Sequence, residues 1–295
     1  MTGTNLLILI ALSAIWGGSF LLLRIGVPQF GPVSLIESRL VLAALFLGIM
    51  ALAMGRNLQW RSRWRHYLLL GGINSALPFL LLAFSAQTLS ASLMSILNAT
   101  TPIWGALLAA VWGRAPLTRT TGLGLVLGTA GVAILVGFDA ITLTPGAPLA
   151  IAASLSASLS YAVASMYARS RTQIKPFDNA HGSLWGASLL VLPLALMLPP
   201  PSMPQSSMWG AAITLGVLCT GIAYLMYFRL VKEVGAAPAL TVTFLVPVFG
   251  VLWGHWLLDE VLGLHTLGGS ALVICGTALV TGFSPRTLIQ KRIQR

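Results

Sequence analysis

The sequence predicts an all-α polytopic membrane protein: ten transmembrane helices arranged as two inverted five-helix repeats. Three observations lead there. Hydrophobic residues make up 57% of the 295 residues and charged residues only 8%, a balance foreign to soluble globular domains. The apolar stretches run to about 18–22 residues, the length a helix needs to cross a bilayer, and they lack the strict alternation of barrel strands. The chain also matches itself at a constant offset of 145 residues: Pro102 falls on Pro247, Gly71 on Gly216, Gly105 on Gly250, Gly124 on Gly269, Gly131 on Gly276 and Gly137 on Gly282. Arg24 falls on Arg169, Trp64 on Trp209 and the aromatic Trp16 on Tyr161. An odd number of spans per copy makes the second copy enter the membrane upside down.

The predicted spans are 5–24, 33–54, 67–86, 91–112, 118–136, 147–167, 180–198, 208–228, 236–257 and 264–283. They divide the chain into a first repeat over 1–142, a second over 143–284 and a basic tail over 285–295. The first span has no basic residue before Arg24 and exceeds a signal-peptide core, so it reads as a retained helix. Alternate connections carry Arg56, Arg61, Arg63 and Arg65; Arg114 and Arg119; Arg169, Arg171 and Lys175; and Arg229 and Lys232. The tail adds Arg286, Lys291, Arg292 and Arg295. With 15 of 17 basic residues on one side, the positive-inside rule predicts that both termini are cytoplasmic in a bacterial inner membrane. The net charge of +11 thus reads as a topology signal and not as a nucleic-acid footprint.

In the third span, Asn74 and Pro78 are four apart, followed by Phe79; the eighth places Tyr224 opposite Phe79, with Tyr227 three residues on. The fourth span holds Asn98, Thr101, Pro102 and Gly105 at one helical face, matched in the ninth by Thr243, Pro247 and Gly250. Each proline frees the carbonyl four residues back, on Asn98 and on Thr243. Two readings are open: bent helices lining a central cavity, or a packing seam of small residues. Trp16 and Tyr161 lie at mid-depth, not at the headgroup belt, and offer an amphipathic wall or simple core packing. Glu37 and Arg39 are the charges inside a span. Two apart, they point to different sides; Arg39 can attract a solute carboxylate, Glu37 is a candidate for proton coupling, and Arg24 can neutralise Glu37. The alternative is that both snorkel to the outer interface.

Glycine pairs at Gly124 and Gly128, and at Gly250 and Gly254, make small-residue faces; the fifth and tenth spans read as packing elements or a homodimer face. Cys219 and Cys275 read as buried free thiols. The histidines His66, His181, His255 and His265 have no metal-ligand spacing, so no metal, cofactor or catalytic residue is expected. No phosphate-binding loop is present, which argues against ATP as the driving force.

From Leu89-Ser90-Ala91-Ser92 through Pro102 to Gly105, and again from Gly235-Ala236-Ala237-Pro238 through Pro247 to Asp259-Glu260, the chain resembles the drug/metabolite transporter superfamily in its ten-helix EamA branch. Trp16-Gly17-Gly18-Ser19-Phe20 and Arg39 fit the same pattern. The resemblance implies export of small metabolites, with the nearest likeness to aromatic and neutral amino-acid exporters. The family's acidic residue stands as Glu260, but Ala115, preceded by Arg114, takes its place in the first half. Glu260 therefore reads as structural, capping or bracing the turn into the tenth span. The expectation is a secondary transporter in the bilayer, handling a small-molecule substrate by alternating access. A carrier for nucleotide sugars or phosphorylated sugars should need lysine or arginine at mid-depth, and the sequence shows none there. A passive pore or structural subunit would have no use for the inversion, and a membrane enzyme would cluster its titratable groups.

Overall fold

The computed structural model describes residues 3–112, 118–138, 144–170, 173–201, 203–235, 239 and 241–282, with backbone alone at 136–138. Among them are ten helical stretches: α1 Gly3–Phe30, α2 Pro32–Ala53, α3 Trp60–Ser85, α4 Ala91–Val111, α5 Arg119–Phe138, α6 Ala147–Arg169, α7 Pro176–Met197, α8 Ser206–Val234, α9 Val242–Leu258 and α10 Leu264–Thr281. Eight are long and apolar enough to cross a membrane by length and composition; α5 and α9 are shorter apolar helices. Leu7, Leu52, Val126, Leu196 and Trp256 are exposed on the outside of the bundle, as expected of a lipid-facing surface. Arg114, Ala115, Asp139, Arg171, Ala236, Ala237, Pro238 and the basic tail lie outside the described residues.

Connections are short. A single residue, Gly31, joins α1 to α2; its φ of 71° is a conformation that side chains disfavour, and Pro32 then starts the helix with no N–H to leave unpaired. Short links make consecutive helices antiparallel, so five helices per half invert the second half.

The packing carries the pseudo-two-fold. Gly71 of α3 sits against the backbone of Ser183–Ala187 in α7, and its mate Gly216 of α8 sits against Arg39–Ala43 in α2. A Cβ on Gly124 of α5 would lie 2.6 Å from the Gly276 carbonyl of α10, and one on Gly131 would lie 2.7 Å from the Gly269 carbonyl. Exchanging the repeats turns the first of those contacts into the second. Gly124 and Gly131 of α5 and Gly269 and Gly276 of α10 are thus packed against each other within the chain.

Some local expectations change. α4 is not one helix: it stops at Asn98 and restarts at Thr101. Asn98, Thr101, Pro102 and Gly105 therefore do not share a continuous helical face. α9 runs through Pro247 without a break. Both α3 and α8 contain a π-helical stretch at repeat-equivalent positions, Gly72–Ala76 and Thr214–Ile222. In α3 the cause is visible, because Pro78 has no N–H to give the Asn74 carbonyl. In α8 no proline is involved; the Thr220 hydroxyl donates to the Leu215 carbonyl at 2.8 Å, helping to hold the widened turn. Cys219 is buried, whereas Cys275 is exposed on α10.

Candidate functional site

The break in α4 would be untenable in an apolar bundle without partners for its carbonyls. Each finds one. The Thr101 hydroxyl donates to the Asn98 carbonyl at 2.8 Å, the group that Pro102 leaves free. Thr100 and, from α6, Ser158 donate to the Leu97 carbonyl at 2.6 and 3.1 Å. Thr277 of α10 donates to the Ala99 carbonyl at 3.0 Å. Two polar atoms beside the break stay unmatched among the described residues, though sealed from solvent: Asn98 Oδ1 and Trp104 Nε1.

Around Gly250 the two repeats meet closely. A Cβ on Gly17 of α1 would lie 2.7 Å from Phe249 Cβ and 2.8 Å from Gly250 N, and a Cβ on Gly250 would strike Ser95 of α4. Trp253 Nε1 donates to the Ala14 carbonyl at 3.0 Å, tying α9 to α1. Glu260 closes this end: its carboxylate accepts from Ala91 N at 2.7 Å, from Ser92 N at 3.0 Å and from the Ser92 hydroxyl. It is a cap, but of α4, not of the turn into α10. Such a carboxylate meets the orphan N–H groups and the positive end of the helix together.

The repeat-related place is different. Gly105, the mate of Gly250, meets none of the described residues: none would lie within 4 Å of an added Cβ, while Leu240, the mate of the Ser95 that faces Gly250, lies outside them. α9 packs on Ala91–Asn98, while Thr101–Val111 packs instead on α5, α6 and α10. Among the described residues, α1, α4 and α9 therefore pack closely near Glu260, and no comparable packing joins α9 to Thr101–Val111 toward the Arg119 end.

Between these ends lie the aromatic candidates. Trp16 Nε1 donates to the Cys219 carbonyl at 3.2 Å, and its ring stands 5.6 Å from that of Tyr227. Asn74 Nδ2 donates to the Tyr224 hydroxyl at 3.4 Å. Phe79 is buried and covers the Arg39 guanidinium, 3.7 Å from ring centroid to Cζ. Arg39 Nε donates to the Thr220 hydroxyl at 3.0 Å, and Tyr161, Tyr224 and Cys219 lie within its electrostatic reach. Trp16, Asn74, Asn98, Tyr161 and Tyr224 each keep some accessible surface despite their mid-helix positions. Pro78 is packed away, Pro102 is partly accessible, and Thr243 is half-buried in α9.

Glu37 and Arg39 do not snorkel; they are 8% and 5% exposed. They also diverge, as their spacing requires. Glu37 Oε1 accepts from the Ser188 hydroxyl of α7 at 2.6 Å, and Oε2 is buried without a partner among the described residues. Arg24 does not neutralise Glu37; its Nη1 donates to the Ala86 carbonyl at 2.7 Å. Sequence reasoning missed Thr220, Thr277, Ser158 and Trp104. The doublet Thr100-Thr101 before Pro102 was the available signal for a break, since hydroxyls next to a proline offer the backbone other partners. The π-helical stretch of α8 had no comparable signal.

The EamA-like transporter family model matches residues 4–137 and 144–282, once in each half. The uncharacterized transporter YoaV of Bacillus subtilis is 22% identical over 280 residues, covering 92% of this chain and 95% of that protein. A probable terminal-alkyne amino-acid exporter of Streptantibioticus cattleyicolor is 25% identical over 281 residues, covering 94% and 92%. The uncharacterized inner membrane transporter YedA of Escherichia coli is 24% identical over 277 residues, covering 92% and 89%. A solved crystal structure, described only as that of a protein, is 18% identical with a TM-score of 0.68 and covers 100% of both chains; it shares the fold.

Proposed function

The chain belongs to the EamA-like transporter family, and from that premise we propose that it is a secondary carrier exporting aromatic or neutral amino acids, or similar amphipathic metabolites, by alternating access. The family is one of membrane transporters, not of enzymes. One observation supports the mechanistic part: Gly250 is pressed between repeats while its mate Gly105 meets none of the described residues. Two copies of one sequence pattern held in unequal states can exchange them, which moves a central site from one membrane face to the other.

The proposed solute site lies between α1, α3, α4, α6, α8 and α9. Trp16, Phe79, Tyr161 and Tyr224 supply flat apolar faces, and Asn74, Asn98, Thr101 and Thr243 supply polar contacts. Pro102, Gly105, Pro247 and Gly250 let the helices change their bend. The positive-inside rule supports cytoplasmic termini; an opening toward the Arg119 end then faces the cytoplasm, the state that loads a solute for export. The amino-acid reading is supported by the amino-acid exporter among the relatives. Glu37, with its one unpartnered oxygen against Ser188, is the proposed site of proton coupling.

Counterflow in vesicles reconstituted with the purified protein tests this reading, using labelled phenylalanine, tyrosine, leucine and threonine. Saturable, competed exchange that falls in Asn98→Leu and Tyr161→Ala is the expected result. Flux that rises linearly with concentration would mean a pore. Unchanged exchange in both variants would move the site elsewhere. Glu37→Gln should exchange solute normally yet lose acceleration by a pH gradient; retained acceleration removes Glu37 from the coupling.

A further inference from the structure

We propose that Arg39 is the charge-recognition residue of this carrier and binds the carboxylate of a singly anionic or zwitterionic solute. The proposal rests on the carrier reading above. Its basis is a charge count that does not close. Arginine stays protonated in any protein environment, and Arg39 is 5% exposed within α2. An uncompensated cation in such surroundings is strongly unfavourable. The chain holds six acidic residues, and five fall among the described residues. Glu37 turns to Ser188, Asp178 pairs with Arg56 and Glu233 with Arg229. Glu260 caps α4, and Asp259 is exposed at the end of α9. None is paired with Arg39.

What surrounds Arg39 is neutral and oriented. Phe79 covers one face of the guanidinium, and Thr220, held by the widened turn of α8, fixes Nε. Among the described residues no acceptor meets the two terminal nitrogens, so the outer edge of the guanidinium fork is free for a ligand. A carboxylate matches that edge with two parallel N–H···O bonds. Tyr161 and Tyr224 lie within the same electrostatic field. Asn74 bonds the Tyr224 hydroxyl and restricts where it points.

Arg39 is the one buried arginine or lysine among the described residues, and that defines the class. One positive charge balances a monocarboxylate. A phosphate ester or nucleotide sugar would bring a second negative charge with no partner, and a solute carrying only an ammonium would be repelled.

Three labelled or competing solutes of one shape test this in wild-type vesicles: phenylalanine, 3-phenylpropionate, which lacks the amine, and phenethylamine, which lacks the carboxylate. Because 3-phenylpropionate and phenethylamine cross bilayers unaided in their neutral forms, both are read as competitors of labelled phenylalanine exchange, and 3-phenylpropionate should compete at least about tenfold more strongly than phenethylamine. Arg39→Gln should lose that preference, and Arg39→Lys, a cation without the fork, should keep part of it. The comparison among solutes needs no variant, so a poorly folding Arg39→Gln does not spoil the test. Phenethylamine competing with labelled phenylalanine as strongly as 3-phenylpropionate would overturn the inference and leave the carrier standing. So would a preference that survives in Arg39→Gln. Wild-type vesicles that exchange no labelled phenylalanine would overturn the amino-acid reading and this inference together.

Discussion

α4 and α9 are the same element written twice, and they differ. Both carry a proline at equivalent positions, yet α4 breaks between Asn98 and Thr101 while α9 continues through Pro247. Three residues past each proline is a glycine. Gly250 is pressed against α1 and α4, and Gly105 meets none of the described residues. The sequence repeat thus marks where a helix can bend, but the surroundings decide which copy bends. Around α4 the decision is made by donors from other helices, Ser158 and Thr277, that accept the cost of a broken backbone.

That comparison can be broken most severely at the glycines. Gly17→Val puts a side chain into the backbone of α9, and overpacking of this kind costs about 1–3 kcal/mol. Thermal unfolding should come earlier, and exchange should fall by an order of magnitude or more. Gly105→Val meets none of the described residues, so its unfolding temperature should match the wild type. If the two sides take turns at closing, it too should lose transport. Normal exchange by Gly105→Val would break the claim that α4 and α9 swap roles.

Glu260→Gln is expected to act next most strongly. It keeps an oxygen for Ala91 N or Ser92 N but removes the charge that suits the α4 N-terminus, a loss of about 1–2 kcal/mol. Because the cap holds only the closed end, the variant should favour opening there, read as faster reaction of a cysteine placed at Ser95. Thr277→Val removes one partner of the break and should cost about 1 kcal/mol in unfolding stability. Retained stability would mean that the Ala99 carbonyl finds another donor. Smallest is Cys275→Ala, an exposed substitution expected within about 0.5 kcal/mol of wild type and without effect on exchange.

The gross architecture was legible because it follows from counts that packing cannot alter. Apolar run lengths set the helices, and five per half set the inversion. Repeat glycines such as Gly124 and Gly131 were also readable, and the structure uses them where α5 and α10 touch. The site was legible only as residue types. Trp16, Tyr161 and Tyr224 could be placed at mid-depth, but Trp16 spends its N–H on the Cys219 carbonyl, a contact across 203 positions. The partner of Glu260 was likewise misplaced, since its nearest neighbour in sequence was not its nearest in space. The unequal states of the two repeats were not legible at all. A doubled pattern treats its copies alike, and only packing between them selects one.

The central claim is that unequal closure, and cysteine reactivity tests it most directly. In a background of Cys219→Ser and Cys275→Ala, single cysteines at Ser95 and Gly105 are exposed to a membrane-impermeant thiol reagent on each face separately. The account predicts reaction at 105 from the face that carries the arginine-rich connections and protection at 95 from both faces. A transported solute should shift reactivity toward 95. Reaction at 95 with protection at 105 in solute-free membranes would contradict it.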